Sequence, residues 1–308
     1  MAEKVLVIGN GFDLDVNFRT RYSDFYKNWK SMNLWAFDES STGLGGYINQ
    51  CAKSEKWLDL EMALFNYANS KNGYVKNIAN TSIVADRDDF EKLVYSLNRF
   101  IRRIIWEDKV NTNSVASKVL KSVLEDGHYT IYSFNYTNLG KIAARLYKGA
   151  TLYDNVMCEL KYTPIHGRVD DNDIILGVHS DAELVIGYEF LRKIDQPTFR
   201  SNNLLQDLEE AREVIFFGLS MGIIDYPYFR EFFKKICNGV IPLNKKKHIT
   251  IFTYNESSRM DVLKQLQILT NTDLLNLKHN SYFEIIRTES NGANDIDKLE
   301  SWIARHNH

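Results

Sequence analysis

The sequence predicts an α/β fold: a parallel sheet with helices on both faces, plus a large helical insert after the first strand. Three observations carry that expectation. Val5 to Ile8 is an aliphatic run that enters Gly9-Asn10-Gly11. Residues about 21 to 126 read as almost wholly helical. From Tyr129 onward, short β-branched or aromatic runs alternate with helical ones.

Val5–Ile8 reads as a buried parallel strand, because such strands are apolar on both faces. Its two following glycines permit a tight turn and a close backbone approach. A helix is expected from Phe12 into the Arg19–Tyr22 region, with free N–H groups at its start that suit a phosphate. Strand, turn and helix together signal either a nucleotide site or a plain tight turn. The third glycine of the full dinucleotide fingerprint is replaced by Asp15. Asp13 is repelled by a pyrophosphate, so it should face a ribose hydroxyl or a basic partner. Valine at Gly11 is expected to leave the fold intact, since the turn is read as lying at a sheet edge.

A second helix carries Phe25, Tyr26 and Trp29, capped by Thr20 or Ser23. Residues 37–50 are rich in Ser, Thr and Gly and read as a loop. A helix starts near Trp57 and carries Leu60, Met62, Ala63, Leu64 and Tyr67. From Asp86 to Glu107, apolar residues recur at three and four from Phe90 to Ile105. Val115–Leu124 repeats the pattern, and Gly127 ends it. Strands are expected at Tyr129–Phe134, Thr151–Tyr153, Tyr162–Ile165, Ile174–Leu176, Val214–Phe217, His248–Thr253 and Tyr282–Arg287. Helices are expected at Leu139–Tyr147, Leu204–Arg212, Tyr228–Cys237, Ser257–Leu269 (capped by Ser257 or Ser258) and Asp295–Arg305.

Composition narrows the function classes. The 308 residues suit one large α/β domain or two small ones. A net charge of −2 gives no global field for nucleic acid or an anionic membrane. Cys51, Cys158 and Cys237 form no C-x-x-C pair, which argues against a zinc ribbon, and no metal site is expected. An odd cysteine count and the lack of a signal peptide point to the cytoplasm. No apolar run approaches the ~20 residues that span a bilayer.

Ligands of parallel sheets bind at the carboxyl ends of the strands. There the sequence places Gly9-Asn10-Gly11, Asn135, His166, Gly177, Gly218-x-Ser220 and Asn255. Asn135 can accept and donate at once, as a ribose hydroxyl or a water requires; it also suits a loop cap. His166 suits proton transfer near neutral pH, or a structural bond. His179 is a rival; His128, His248, His279, His306 and His308 read as loop or terminal residues. Asp225 suits an adenosine ribose or the cap of the following helix. Asp59 and Glu61 diverge on a helix, so only one can face a site; both also read as surface charges.

This serial arrangement resembles the sirtuin superfamily. The matching segments are Gly9-Asn10-Gly11-Phe12-Asp13, Ser133-Phe134-Asn135-Tyr136-Thr137, His166-Gly167, Leu176-Gly177, Gly218-Leu219-Ser220 and Asn255. It resembles more closely the AbiH family of phage abortive-infection proteins, whose sequences look like IGNGFD, W-x-D-x-E, FNYT and IHG in order. Here these are Ile8–Asp13, Trp57/Asp59/Glu61, Phe134–Thr137 and Ile165–Gly167. Asp13 replaces the sirtuin serine, Thr137 the aspartate, and the zinc-ribbon cysteines are missing.

The resemblance implies a single Rossmann-like, sirtuin-like nucleotide-binding domain over 1–308, with the insert at about 21–126. It implies NAD as substrate or ligand, with Asn135 and His166 catalytic. Gly9, Asn10, Gly11, Phe12, Asp13, Ser133, Gly218, Ser220 and Asn255 would bind the nucleotide. The implied activity is NAD glycohydrolysis in anti-phage defence: water attacks the nicotinamide ribose, and His166 takes the proton. The alternative is a non-catalytic NAD or ADP-ribose module that engages a protein partner through the insert. A dehydrogenase fits less well, for want of the third glycine. A phage-derived trigger and an oligomer are compatible with both main readings; a membrane or nucleic-acid partner is not indicated.

Overall fold

The computed structural model describes residues 3–29, 43–53, 59–71, 80–147, 160–239, 241–271, 273–289 and 293–306. The chain divides into two compact units. One comprises Met1–Phe18, Asp108–Ile165 and Ser201–His308; the other comprises Arg19–Glu107 and His166–Arg200.

The first unit is built on six parallel strands: β1 (Lys4–Ile8), β2 (Tyr129–Ser133), β3 (Thr163–Pro164), β4 (Glu213–Phe217), β5 (Lys247–Thr253) and β6 (Ser281–Arg287). Their order is β3-β2-β1-β4-β5-β6. The chain thus builds outward from β1 to one side, then returns to build from β4 to the other. Ligands of open α/β sheets bind at such a reversal. Ile8 pairs with Ser133 on one side and with Phe217 on the other, so the loops after β1, β2 and β4 leave the sheet level with one another.

Both sheet faces are covered, which is why the central strands read as continuous apolar runs. On one face Val5, Val7, Val214, Phe216, Ile249 and Ile251 join one buried cluster. That cluster takes in residues of α8 (Leu204–Glu210), α9 (Tyr226–Asn238), α10 (Glu256–Leu269) and α11 (Leu274–Asn280). On the other face, Phe217 meets Phe12 of α1 (Asn10–Asp15), and Phe252 meets Trp302 of α12 (Ala293–His306). α6 (Val115–Asp126) and α7 (Leu139–Leu146) also belong to this unit.

Among the described residues the second unit holds α2 (Tyr22–Trp29), α3 (Leu44–Lys53), α4 (Leu60–Ser70), α5 (Asn80–Glu107) and three short 3-10 turns. Phe90, Leu93, Leu97, Phe100, Ile101 and Ile104 of α5 are buried at spacings of three and four, and Phe100 meets Phe25. The stretch read as one insert, 21–126, is divided: α2–α5 lie in this unit, whereas α6 lies in the first. The unit also takes in 166–200.

Four local expectations are corrected. The first helix stops at Asp15, because Asn17 adopts a left-handed backbone with φ of 77°. Residues 44–50 form α3 and not a loop. Carboxylates from α5 satisfy its first N–H groups: Asp86 accepts from Leu44 N at 2.7 Å and Asp89 from Gly45 N at 2.8 Å. Ile174–Leu176 is buried but joins no ladder; Ile175 N donates to His166 O, and Leu176 O accepts from the Gln196 side chain. The Ser257–Leu269 helix starts at Glu256, and its cap is Asn255. The strand expected at Thr151–Tyr153 lies outside the described residues, as does Trp57.

Candidate functional site

In the first unit the glycine turn is held by backbone. Gly9 N donates to Phe217 O and Gly11 N to Gly218 O, both at 2.9 Å. A Cβ on Gly11 would stand 2.6 Å from the Gly218 Cα. Gly218, at φ of 66°, would place one 2.4 Å from the Gly11 Cα. The close approach that these glycines allow is therefore between two loops. β1 is central in the sheet, so valine at Gly11 would collide with backbone; the expectation that the fold tolerates it is corrected.

Beneath the turn lies a buried carboxylate. Asp13 is 1% exposed. The Asn135 amide donates to Asp13 Oδ1 at 2.8 Å and to Gly9 O at 3.0 Å. The Thr137 hydroxyl lies 3.0 and 2.9 Å from the two Asp13 oxygens. Burial pushes the Asp13 carboxyl up to about 7, against the opposing pull of these two hydrogen bonds. GNGFD and FNYT are thus one hydrogen-bonded unit, joined across 122 and 124 positions of chain. Asp13 meets an amide and a hydroxyl here, and no basic partner among the described residues.

The other expected nucleotide ligands differ in exposure and in what they bond. Asn10 and Ser220 are exposed, and Gly11 and Gly218 half-buried, at the carboxyl ends of β1 and β4. Phe12 and Ser133 are fully buried; the Phe12 ring packs on Phe217, and the Ser133 hydroxyl accepts from Asn135 N. Asn255 is a helix cap, accepting from Ser258 N at 3.0 Å. Gly222 N donates to Ser220 Oγ at 3.4 Å.

His166 belongs to the second unit and Asn135 to the first. Within its unit His166 is 5% exposed, and Lys193 Nζ lies 3.1 Å from its Nε2. The same ammonium donates to Glu61 Oε1 at 2.9 Å and Oε2 at 3.0 Å. Lys193 is 2% and Glu61 9% exposed, so this is a buried ion pair. The W-x-D-x-E acids have separate tasks. Asp59 caps α4, accepting from Glu61 N at 2.9 Å, which sets Glu61 in the first turn with its carboxylate inward. Sequence reasoning missed Lys193 altogether, since no motif or periodicity marks it. His179 packs its ring on Phe65; burial, its largest influence, holds it below the usual histidine value. His306 is no frayed terminal residue: its Nε2 lies 2.6 Å from Glu213 Oε1.

The first unit is that of a doubly wound parallel α/β protein with its loop motifs at the strand-order reversal. The chain matches the family model described as bacteriophage abortive infection AbiH over residues 5–242. It belongs to the AbiH family. No curated protein and no solved structure matches the chain. Among the described residues no helix is long and apolar enough to cross a membrane.

Proposed function

We propose that this AbiH protein hydrolyses NAD, or a related dinucleotide, as a sirtuin-like enzyme of abortive infection. The supporting observation is the level register of Ile8 with Ser133 and Phe217. It sets three loops side by side at the strand-order reversal, where nucleotides bind in open parallel sheets. Asn10, Gly11, Gly218 and Ser220 form the accessible rim there and are assigned to the nucleotide. Nicotinamide leaves NAD already cationic. The enzyme needs mainly to stabilise an oxocarbenium-like ribose and to place a water. The roles assigned for turnover are a positioning amide for Asn135 and a proton-accepting imidazole for His166. Loss of NAD in the cytoplasm would then arrest an infected cell once a phage-derived trigger is met.

The test is incubation of the purified full chain with NAD, in its resting and triggered states, and chromatography for free nicotinamide. Release of nicotinamide is expected, and His166→Ala should lower it by roughly 10²–10⁴-fold while calorimetry shows NAD affinity unchanged. Parental turnover in triggered His166→Ala would sink the assignment. A binding module is the second reading. It is favoured by the internal bonding of the Gly9 and Gly11 N–H groups and of both Asn135 amide hydrogens. Intact NAD together with a raised melting midpoint would select it.

A further inference from the structure

The two edges of the sheet differ. β3 is an edge of two residues, and one of them is Pro164, which has no N–H to offer a further strand. β6 is an edge of seven residues without proline, and among the described residues β5 alone pairs with it. Arg287 stands opposite Thr253, and Thr288 N donates to Thr253 O at 2.7 Å. In a parallel ladder that bond turns the backbone groups of Tyr282, Glu284 and Ile286 towards β5. The N–H and C=O groups of Phe283, Ile285 and Arg287 therefore point outward, as a further strand requires.

A groove of about 590 Å³ follows this edge. Phe283 and Ile285 line it with Leu263 of α10, and α12 contributes Asp295 and Lys298. α10 and α12 pack on opposite faces of the sheet, so the groove opens between them along its rim. Four cations, Arg259, Lys278, Arg287 and Lys298, line it against three acids, Glu256, Glu284 and Asp295. Each acid is already shared. Glu256 takes Arg259 and Arg287, Asp295 takes Arg287 and Lys298, and Glu284 takes Thr250 and Arg305. Lys278 is exposed and has no partner among the described residues. The rim is thus cationic on a chain whose net charge is −2.

We propose that the β6 edge docks an extended acidic segment of a partner protein, which adds as a seventh strand. Its backbone meets the outward groups of Phe283, Ile285 and Arg287, and its carboxylates meet Lys278 and Lys298. Antiparallel addition is assigned, because parallel pairing is the less stable per residue. This docking surface is independent of the hydrolase reading.

The experiment is fluorescence anisotropy of the full chain with a labelled, amidated heptapeptide that alternates glutamate and valine, beside its lysine–valine twin. Hydrogen exchange of the complex follows. The glutamate peptide should bind, and raised salt should weaken it. The lysine twin should bind at least about 10-fold more weakly. Exchange should slow at Phe283, Ile285 and Arg287 and stay unchanged at Tyr282, Glu284 and Ile286, whose amides β5 already holds. Lys278→Glu reverses an exposed charge and should cost about 3- to 10-fold in affinity. Ile285→Pro removes an outward N–H without touching the β5 ladder and should cost roughly 10-fold. If the proline variant does not fold, Lys278→Glu decides. Absent binding, equal binding of the two peptides, or exchange slowed only elsewhere overturns the proposal. So does a dimer in sedimentation that Ile285→Pro disperses, since a second copy would then hold the edge.

Discussion

Asp13 and Glu61 are both motif carboxylates, and both are buried, at 1% and 9% exposure. They are accommodated by opposite means. Asp13 meets the Asn135 amide and the Thr137 hydroxyl, and burial lifts it to about 7. Glu61 meets the Lys193 ammonium through both oxygens. One acid can shed its charge by taking a proton; the other is matched by a cation. The difference shows what each motif does: Asp13 joins two loop motifs of the sheet unit, whereas Glu61 secures the lysine that holds a histidine.

The largest effect should come from breaking the ion pair on one side only. Lys193→Met preserves volume but leaves the Glu61 carboxylate buried without its cation. Urea unfolding should show a loss of about 3–5 kcal/mol. Adding Glu61→Gln should restore most of it, because both charges are then gone. A single variant as stable as the parent would mean that the Glu61 carboxylate finds water or another cation.

These two acids also mark how far the sequence could be read. The β1 run and the α5 periodicity are local signals, and each became the expected element; the helix expected from Phe12 instead starts at Asn10, with Gly9 as its cap. FNYT and GNGFD were visible as motifs, but not the bond between them, which spans 122 positions. Lys193 was invisible because its partner Glu61 is 132 positions away and the stretch around the lysine itself shows no period. The loop expected over 37–50 failed at 44–50 for the same reason, 37–42 lying outside the described residues: Asp86 and Asp89 cap α3 from 42 and 44 positions away. Ile174–Leu176 has strand chemistry without a ladder, since its backbone bonds go to a loop carbonyl and a glutamine.

The Asp13 half of the comparison is tested by pH. Its carboxyl is raised from 3.8 to about 7, so between those values the folded state binds a proton that the unfolded state does not. Its stabilising contribution is full below about pH 4, falls as pH rises and is lost above about 7. The window corresponds to on the order of 4 kcal/mol. Asp13→Asn mimics the protonated acid at every pH, accepting from Asn135 and donating to Thr137. The stability of the variant relative to the parent should therefore rise by that order from pH 4 to 8. A difference that stays flat across the range would show that Asp13 titrates normally.

The smallest effect sharpens the same point at Thr137, whose hydroxyl lies within 3.0 Å of both Asp13 oxygens. One hydroxyl hydrogen can serve only one oxygen at a time. Below the Asp13 value, the acid can donate its own proton to Thr137 Oγ1, and the loss of the hydroxyl costs an ordinary hydrogen bond of about 1 kcal/mol. Above it, the carboxylate needs the hydroxyl as donor, and a bond to a charged group contributes about 1.5–3 kcal/mol. Thr137→Val should thus destabilise more at pH 8 than at pH 6 in urea unfolding. In an Asp13→Asn background the pH dependence should vanish, because no charge remains for the hydroxyl to serve. Equal costs at both pH values in the parent background would reduce Thr137 to a packing residue and leave the Asn135 side chain to hold Asp13.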